Sequence, residues 1–293
     1  MMGYGQNGRS RKAVEVFGMM VGQKVLVVDR VCLSVALAAF ADVWELSVGE
    51  WIHGYVSDGG GVRADVCSEN SIIDMYVKCG EVENAKGVFD GMRERDVTTW
   101  TSMIVGFTLL GLVREALGLF DEMTRRRGSG RKRENGSRKG SLVVPNDVTF
   151  LGVLMACSHG GMVEEGKIYF KSMVEDYGLK PREPHFGCMV DLLCRSGLVN
   201  EAYDFILGMP GKANAVLWRT LLGACSLHGN AELGVNVRAR LLALDPRYGG
   251  DDVVLSNVFA SKGLWNEKIT TRERVKRRRS SPGCSSVKVA LTW

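Results

Sequence analysis

The sequence contains little proline and no long apolar run. Only 6 of its 293 residues are proline, a residue that removes a backbone donor and breaks helix interiors. No apolar stretch reaches the roughly 18 residues that a membrane-spanning helix needs. The best candidate, "VCLSVALAAFADVWEL", is interrupted by Asp42 and is predicted to be a buried helix. These absences favour a folded helical protein and give no indication of a membrane partner.

The sequence also lacks the motifs of common metal and phosphate sites. Its eight cysteines form no C-x-x-C pair, and most lie in apolar helical patterns such as "LMACS", where a free cysteine packs as a small hydrophobic residue. Zinc requires ligands clustered at tight spacing. The glycine-rich "DGGGVRAD" has no phosphate-binding lysine and is interpreted as a linker. We therefore predict no catalytic residue, no cofactor and no metal site.

Positive charge is concentrated in one segment. The chain has a formal net charge of +5, yet residues 124–141, "TRRRGSGRKRENGSRKGS", hold eight basic side chains and the single acid Glu134. This local +7 leaves −2 for the rest of the chain. The segment is rich in glycine and serine and follows a predicted helix, so we predict a disordered loop there. It either attracts nucleic-acid phosphates or is a tolerated loop insertion.

A repeated pattern is the main feature that the sequence does contain. "NSIIDMYVKCGEVENAKGVFDGM" (70–92) is followed 31 residues later by "TSMIVGFTLLGLVREALGLFDEM" (101–123). Glycine, alanine, phenylalanine and methionine recur at matched positions in the two copies. The pattern returns in "MVDLLCRSGLVNEAYDFILGM" and, more loosely, in "LGVLMACSHGGMVEEGKIYFKSM" and "LLGACSLHGNAELGVNVRARLLAL". The N-terminal "YGQNGRSRKAVEVFGMM" matches the middle of a copy, so we expect an incomplete first repeat.

Each copy predicts a pair of short helices. The first helix has an apolar face, and a glycine near its end permits a left-handed cap and a tight reversal. The second has apolar or small residues at positions 82, 85, 89 and 92, the stripe of an amphipathic helix. One hairpin of this size cannot bury both faces, so neighbours must stack. The sequence therefore predicts an all-α, right-handed α-solenoid of helix-turn-helix repeats.

The predicted repeats have unequal lengths. They are an incomplete repeat at 1–29, a long repeat at 30–65, a short one at 66–96, a standard one at 97–146 that includes the basic insert, a long one at 147–182, a short one at 183–214 and a C-terminal extension at 215–293. Tetratricopeptide arrays keep a steady 34 residues. The alternation of short and long repeats argues against them.

The motifs resemble those of plant pentatricopeptide-repeat proteins. Segments such as "IIDMYVKCGEVENAKGVFDGMRERDVTTWTSMIVGF" and "HFGCMVDLLCRSGLVNEAYDFILGMP" are similar to the subfamily in which standard, long and short repeats alternate. "VLWRTLLGACSLHGNAELG", "VVLSNVFASKGLWNE" and "PGCSSVKV" resemble the E-type C-terminal motifs of that subfamily. The resemblance covers essentially the whole chain, and it suggests that N-terminal repeats are missing.

The resemblance implies binding of single-stranded organellar RNA, one base per repeat. In the family, the fifth and the last residue of a repeat recognise the base. Asn70 with Asp96 implies uracil, and Thr101 with Asn146 implies adenine, with U preceding A from 5′ to 3′. Two further pairs are weaker, because long repeats recognise bases poorly and glycine offers no side chain: Ser34 with Asp65, and Gly187 with Asn214.

A second interpretation of these residues is purely structural. Asp96 and Asn146 also suit a turn before the next helix, and Asn70 and Thr101 are placed near predicted helix starts. Short polar side chains are the preferred caps at such positions. Two matched pairs at the spacing of the family favour RNA recognition.

The implied role is to specify cytidines for C-to-U editing in a mitochondrion or chloroplast. Zinc deaminases require H-x-E and C-x-x-C motifs, and neither occurs in the sequence. We therefore expect that the chain is not an enzyme. A deaminase-bearing pentatricopeptide-repeat protein or an editing cofactor is expected to act with it in trans. Two alternatives stay open: a helical scaffold for protein partners, and a truncated relic without function.

The C-terminal part departs from the family pattern. Asp252 replaces an aromatic residue before "VVLSN", and Ser286 replaces tryptophan after "PGCS". Both changes put the recruitment of helper proteins in question. The basic stretch "TTRERVKRRRSS" (270–281) either contacts RNA or solvates a terminal helix.

Overall fold

The computed structural model describes residues 46–57, 65–128, 143–246 and 248–278, together with Lys12 and Leu37. Within these ranges every regular element is a helix and none is a strand. The chain divides into two compact units, residues 1–185 and 186–293.

The first unit contains seven described helices and the start of an eighth. They are α1 (Leu46–Ser57), α2 (Val66–Lys78), α3 (Val82–Gly91), α4 (Val97–Leu109), α5 (Val113–Gly128), α6 (Asp147–Gly160) and α7 (Val163–Glu175). The boundary between the units falls in the first turn of α8 (Glu183–Arg195). The second unit continues with α9 (Val199–Leu207), α10 (Ala215–His228), α11 (Ala231–Leu244), α12 (Gly250–Ser261) and α13 (Trp265–Arg278).

Glycines close the turns within the helix pairs, as the repeat predicts. Six of them have positive φ, between 64° and 82°: Gly80, Gly111, Gly161, Gly197, Gly229 and Gly263. At the first turn the Glu81 N–H donates to the Tyr76 carbonyl at 2.8 Å, and at the second the Leu112 N–H donates to the Phe107 carbonyl at the same distance. These bonds satisfy carbonyls at the ends of the first helices. The predicted chain of helical hairpins is confirmed, and the handedness of the stack stays a prediction.

The first helices of successive hairpins pack against one another in the first unit. Helix α4 contacts both α2 and α6, and the second helices α3, α5 and α7 pack against this row. Trp100 and Phe150 are fully buried, and the Trp100 ring meets Phe89 edge to face at a centroid distance of 5.0 Å. Gly106 allows the close approach of α4 to α2, because a Cβ there would lie 2.5 Å from the Val77 side chain.

The second unit repeats this arrangement. Helix α10 contacts α11 and α12, and α12 in turn contacts α11 and α13. Leu221, Val237 and Val258 are completely buried between these helices. None of the helices in the described ranges of either unit is long and apolar enough to cross a membrane.

The first part of the segment predicted to be a disordered loop is helical. Residues 124–128 form the last turn of α5. Local bonds extend the helix, since the Thr124 hydroxyl donates to the Phe120 carbonyl at 3.0 Å and Arg125 Nε to the Asp121 carbonyl at 3.2 Å. Arginine is also a good helix former. Residues 129–142, most of the incomplete repeat 1–29, and Ser34 and Ser286 lie outside the described residues.

Candidate nucleic-acid interface

Four of the predicted site residues cap helices. Asp65, Asp96, Asn146 and Asn214 are the N-caps of α2, α4, α6 and α10. Each side chain accepts a hydrogen bond from the backbone N–H three residues later, at distances of 2.8 to 3.1 Å. Such bonds satisfy donors that a helix N-terminus leaves unpaired. The structural interpretation is therefore confirmed for Asp96 and Asn146, and Asp65 and Asn214 cap helices in the same way. It is wrong for Asn70 and Thr101, which lie within α2 and α4.

Asn70 and Asp96 are brought together across 26 positions of sequence. The Asn70 Nδ2 donates to Asp96 Oδ1 at 3.1 Å. Asn70 is only 9% exposed, whereas Asp96 lies at the surface. The Asn70 Oδ1 is buried and has no hydrogen-bond partner. This pair consequently has one fixed donor and one unsatisfied acceptor.

The environment of Asp96 favours its charged form. Partial burial raises the pKa of this carboxyl, but hydrogen bonds from Thr99, Asn70 and the backbone of Thr98 together outweigh it and lower the pKa below its ordinary 3.8. An ionised carboxylate only accepts hydrogen bonds. The group of Asn70 that faces it must therefore be the amide nitrogen, which directs the amide oxygen away from Asp96.

Thr101 and Asn146 are connected through a third residue. The Thr101 and Thr149 hydroxyl oxygens are 2.7 Å apart, and the Thr149 hydroxyl donates to Asn146 Oδ1 at 2.9 Å. Thr101 is 8% exposed and Thr149 is fully buried. Sequence reasoning missed Thr149, which forms a capping box with Asn146 through reciprocal side-chain and backbone bonds.

The weaker pairs differ from these two. A Cβ added at Gly187 would meet only Leu217 Cδ2, at 4.0 Å, so the space beside Gly187 is open. Asp65 accepts from both the backbone N–H and the hydroxyl of Ser68, at 2.9 and 2.7 Å. Because its proposed partner Ser34 lies outside the described residues, the structure gives no geometry for that pair.

The first stretch of the extension, residues 215–248, has Arg219 as its fifth residue and Tyr248 as its last. The Arg219 guanidinium lies 4.1 Å from the ring centroid of Tyr248. Arg219 Nη2 donates to Asp245 at 2.8 Å and Nε to Asp251 at 3.0 Å. These carboxylates occupy the guanidinium, so this position differs chemically from the uncharged amide and hydroxyl groups upstream. No pattern in the sequence indicated Arg219 or Tyr248.

Asp252, where the resemblance implied an aromatic residue, has a charged partner inside the second unit. Arg238 donates to its two carboxylate oxygens at 2.7 and 2.9 Å, and both side chains are 7% exposed. The Arg238 Nη1 and the Oδ2 of the neighbouring Asp251 are buried without a hydrogen-bond partner. Arg238 thus accommodates the carboxylate of Asp252 within the fold.

Comparisons with known proteins agree with the repeat analysis. The model of the pentatricopeptide repeat matches residues 1–25, 70–97, 98–127, 148–177 and 185–212. The model of the E motif matches residues 228–288. The chain belongs to the pentatricopeptide-repeat family. The alternating repeat type and the E-type C-terminal motif are those that the sequence resemblance implied, while the exact repeat boundaries stay a prediction.

Relatives in Arabidopsis thaliana include many pentatricopeptide repeat-containing proteins. One is 43% identical over 261 residues, which are 88% of this chain and 38% of that protein. A chloroplastic one is 39% identical over 272 residues, 92% of this chain and 30% of that protein, and a mitochondrial one is 38% identical over 289 residues, 98% of this chain and 43% of that protein. The chain spans less than half the length of these relatives.

The fold is that of a solved pentatricopeptide-repeat protein. The maize protein PPR10, crystallised with an 18-nt psaJ RNA element, matches 93% of this chain and 38% of its own with a TM-score of 0.69 and 17% identity. A second crystal structure of maize PPR10 matches 96% of this chain and 39% of its own, with a TM-score of 0.64 and again 17% identity. At this identity the likeness establishes the fold alone.

Proposed function

We propose that this pentatricopeptide-repeat protein binds single-stranded RNA through Asn70 with Asp96 and Thr101 with Asn146. The observation that supports the proposal most directly is the orphan Oδ1 of Asn70. A buried acceptor without a donor costs about 1–3 kcal/mol, and a ligand that supplies a donor recovers this cost. The neighbouring Asp96 fixes which end of the amide is available.

The chemistry of this acceptor favours uracil over cytosine. Uracil has an N–H donor at ring position 3, where cytosine has an unprotonated acceptor. Single-stranded bases leave this edge free for protein side chains. Because the Asn70 oxygen is buried in a residue that is 9% exposed, a side-chain movement must accompany contact. PPR10, whose fold the chain shares, was crystallised with RNA, which supports the same ligand class here.

The test measures base preference. We expect the chain to bind a short labelled RNA containing U followed by A about tenfold more tightly than the same RNA with C in place of that U. Asn70→Ala should remove this preference without changing the helical circular dichroism. Asn200→Ala, a change of an exposed asparagine on the second helix α9, is the control and should keep the preference. Equal affinity of the unaltered chain for both RNAs would refute the proposal.

We further propose that the bound RNA is organellar and that the chain helps to specify cytidines for C-to-U editing. The match to the E motif at 228–288 and the mitochondrial and chloroplastic names of relatives support this role. The 293 residues contain neither H-x-E nor C-x-x-C, the ligand motifs of zinc deaminases. These residues therefore lack the zinc-ligand motifs of that activity, and a deaminase-bearing protein is the partner that we propose.

Editing can be tested in an organellar extract. The chain is added to an RNA that has a cytidine downstream of the U followed by A. It should raise conversion of that cytidine to uridine, and the Asn70→Ala variant should not. Capture of a protein partner that persists after ribonuclease treatment, with no effect on editing, would favour a protein scaffold instead.

A further inference from the structure

The hydroxyl of Thr149 has all its hydrogen bonds within the protein. Its oxygen is 2.9 Å from Asn146 Oδ1, 3.2 Å from the Asn146 backbone nitrogen and 2.7 Å from the Thr101 hydroxyl. Thr149 itself has no exposed surface, so it cannot contact a ligand. Any effect that it has on binding must act through Thr101 and Asn146.

The direction of these bonds follows from counting hydrogens. Asn146 Oδ1 also receives the Thr149 backbone N–H at 2.9 Å, which identifies this atom as the acceptor oxygen of the amide. The single hydrogen of the Thr149 hydroxyl is therefore donated to Asn146 Oδ1, because an amide oxygen cannot donate. The Thr101–Thr149 contact then requires Thr101 to be the donor.

This arrangement fixes the polarity of the whole pair. The only hydroxyl hydrogen of Thr101 is committed to Thr149, so Thr101 faces a base as an acceptor. The oxygen of the Asn146 amide is held by Thr149 through two bonds, so its nitrogen faces outward as a donor. We propose that Thr149 is a positioning residue that sets base selectivity at this repeat by holding Thr101 as acceptor and Asn146 as donor. The inference rests on the proposed RNA binding by Thr101 and Asn146.

The preceding repeat offers a matched comparison. Thr99 bonds Asp96 just as Thr149 bonds Asn146: its hydroxyl donates to Asp96 Oδ1 at 2.9 Å and accepts from the Asp96 N–H at 3.2 Å. The fifth residue there, Asn70, bonds Asp96 directly at 3.1 Å. Loss of the Thr99 hydroxyl thus removes an equivalent cap bond, in a repeat where the fifth residue does not depend on it.

The test uses Thr149→Val, which removes the hydroxyl and keeps the volume and the backbone bond to Asn146. Four short fluorescent RNAs share the U and differ only in the next base, and their dissociation constants are measured with the full chain. In the variant the Thr101 hydroxyl can turn and donate. We therefore expect the preference for A over G to fall about fivefold, the equivalent of one hydrogen bond, chiefly because G binds more tightly.

Two controls separate this effect from a loss of stability. Thr149→Ser keeps the hydroxyl and should restore the preference, and Thr99→Val should leave the preference at the Thr101 position unchanged. If Thr149→Val does not fold, as judged by circular dichroism, Thr149→Ala removes the same hydroxyl and takes its place.

The outcomes distinguish the two proposals. If the unaltered chain binds all four RNAs equally, RNA recognition at this position is wrong and the inference fails with it. If the unaltered chain prefers A and the hydroxyl-free variant keeps the same ratio, or weakens for all four RNAs alike, the inference alone is wrong. A ratio that falls in Thr149→Val and returns in Thr149→Ser supports it.

Discussion

The buried ion pair between Arg238 and Asp252 gives the sharpest prediction for stability. Each side chain is 7% exposed, and Arg238 Nη1 already lacks a partner. Removing the carboxylate leaves a guanidinium in a site with little water. Breaking a buried pair in this way typically costs about 3–5 kcal/mol. Asp252→Asn keeps an oxygen that can still accept from Arg238 Nε, so we expect about 3 kcal/mol for it and about 5 kcal/mol for Asp252→Ala.

Replacing both charges should behave differently. An apolar pair of similar volume avoids the cost of burying two ions, and such exchanges are often neutral or stabilising. We therefore expect Arg238→Met with Asp252→Leu to remain within about 1 kcal/mol of the unaltered chain. The exposed pair of Arg195 and Asp191 in α8, with side chains 60% and 35% exposed, is the control. Asp191→Asn should cost less than about 0.5 kcal/mol.

Native-state hydrogen exchange read by mass spectrometry measures these differences locally. Peptides from α11 and α12 report the free energy of opening of the helices that hold the pair. This avoids the assumption that a repeat protein unfolds in one step. A loss below about 1 kcal/mol in Asp252→Ala, or a double variant as unstable as the single one, would show that the pair is not desolvated as we argue.

Three further predictions concern other described residues. Gly187→Ala should stabilise α8 by about 0.5–1 kcal/mol in urea denaturation, because the added methyl has room, whereas Gly197→Ala should destabilise because its φ is +79°. The lowered pKa of Asp96 contributes stability that is complete above pH 3.8 and is lost as the pH falls through the folded pKa. In thermal melts, Asp96→Asn should therefore lose less stability on acidification than the unaltered chain does. Burial raises the pKa of Cys225 to about 11, so iodoacetamide at pH 8, followed by peptide mapping, should label the exposed Cys67 well before Cys225.

Residue spacing was sufficient to predict the architecture. Two short-range signals indicated it: the glycine at each helix turn and the small residue near the start of each second helix. In the structure Gly80 has a φ of +82°, and Ala85 is fully buried. The end of α5 was misplaced because we took the glycine- and serine-rich composition of residues 124–141 as one unit. The first five of these residues extend a helix through bonds to the preceding turn.

The details of the site could be predicted only in part. The family pattern paired Asn70 with Asp96 correctly in space, because both positions belong to consecutive first helices. It gave no indication that the contact from Thr101 to Asn146 passes through Thr149. The family pattern also gave no indication of the ion pair between Asp252 and Arg238. That pair depends on how α11 packs against α12, which no periodicity in the sequence encodes.

Helix capping and base recognition, which the sequence presented as alternatives, are compatible in this geometry. An N-cap must offer an acceptor to the helix that follows it, and Asp96 and Asn146 each use Oδ1 for this bond. The same residue borders the preceding first helix, since α2, α4 and α6 pack in succession. Its remaining atoms therefore lie beside the fifth residue of that helix, directly in one repeat and through Thr149 in the next. Capping holds the side chain in one orientation, and a fixed orientation is what selectivity between donor and acceptor edges of a base requires.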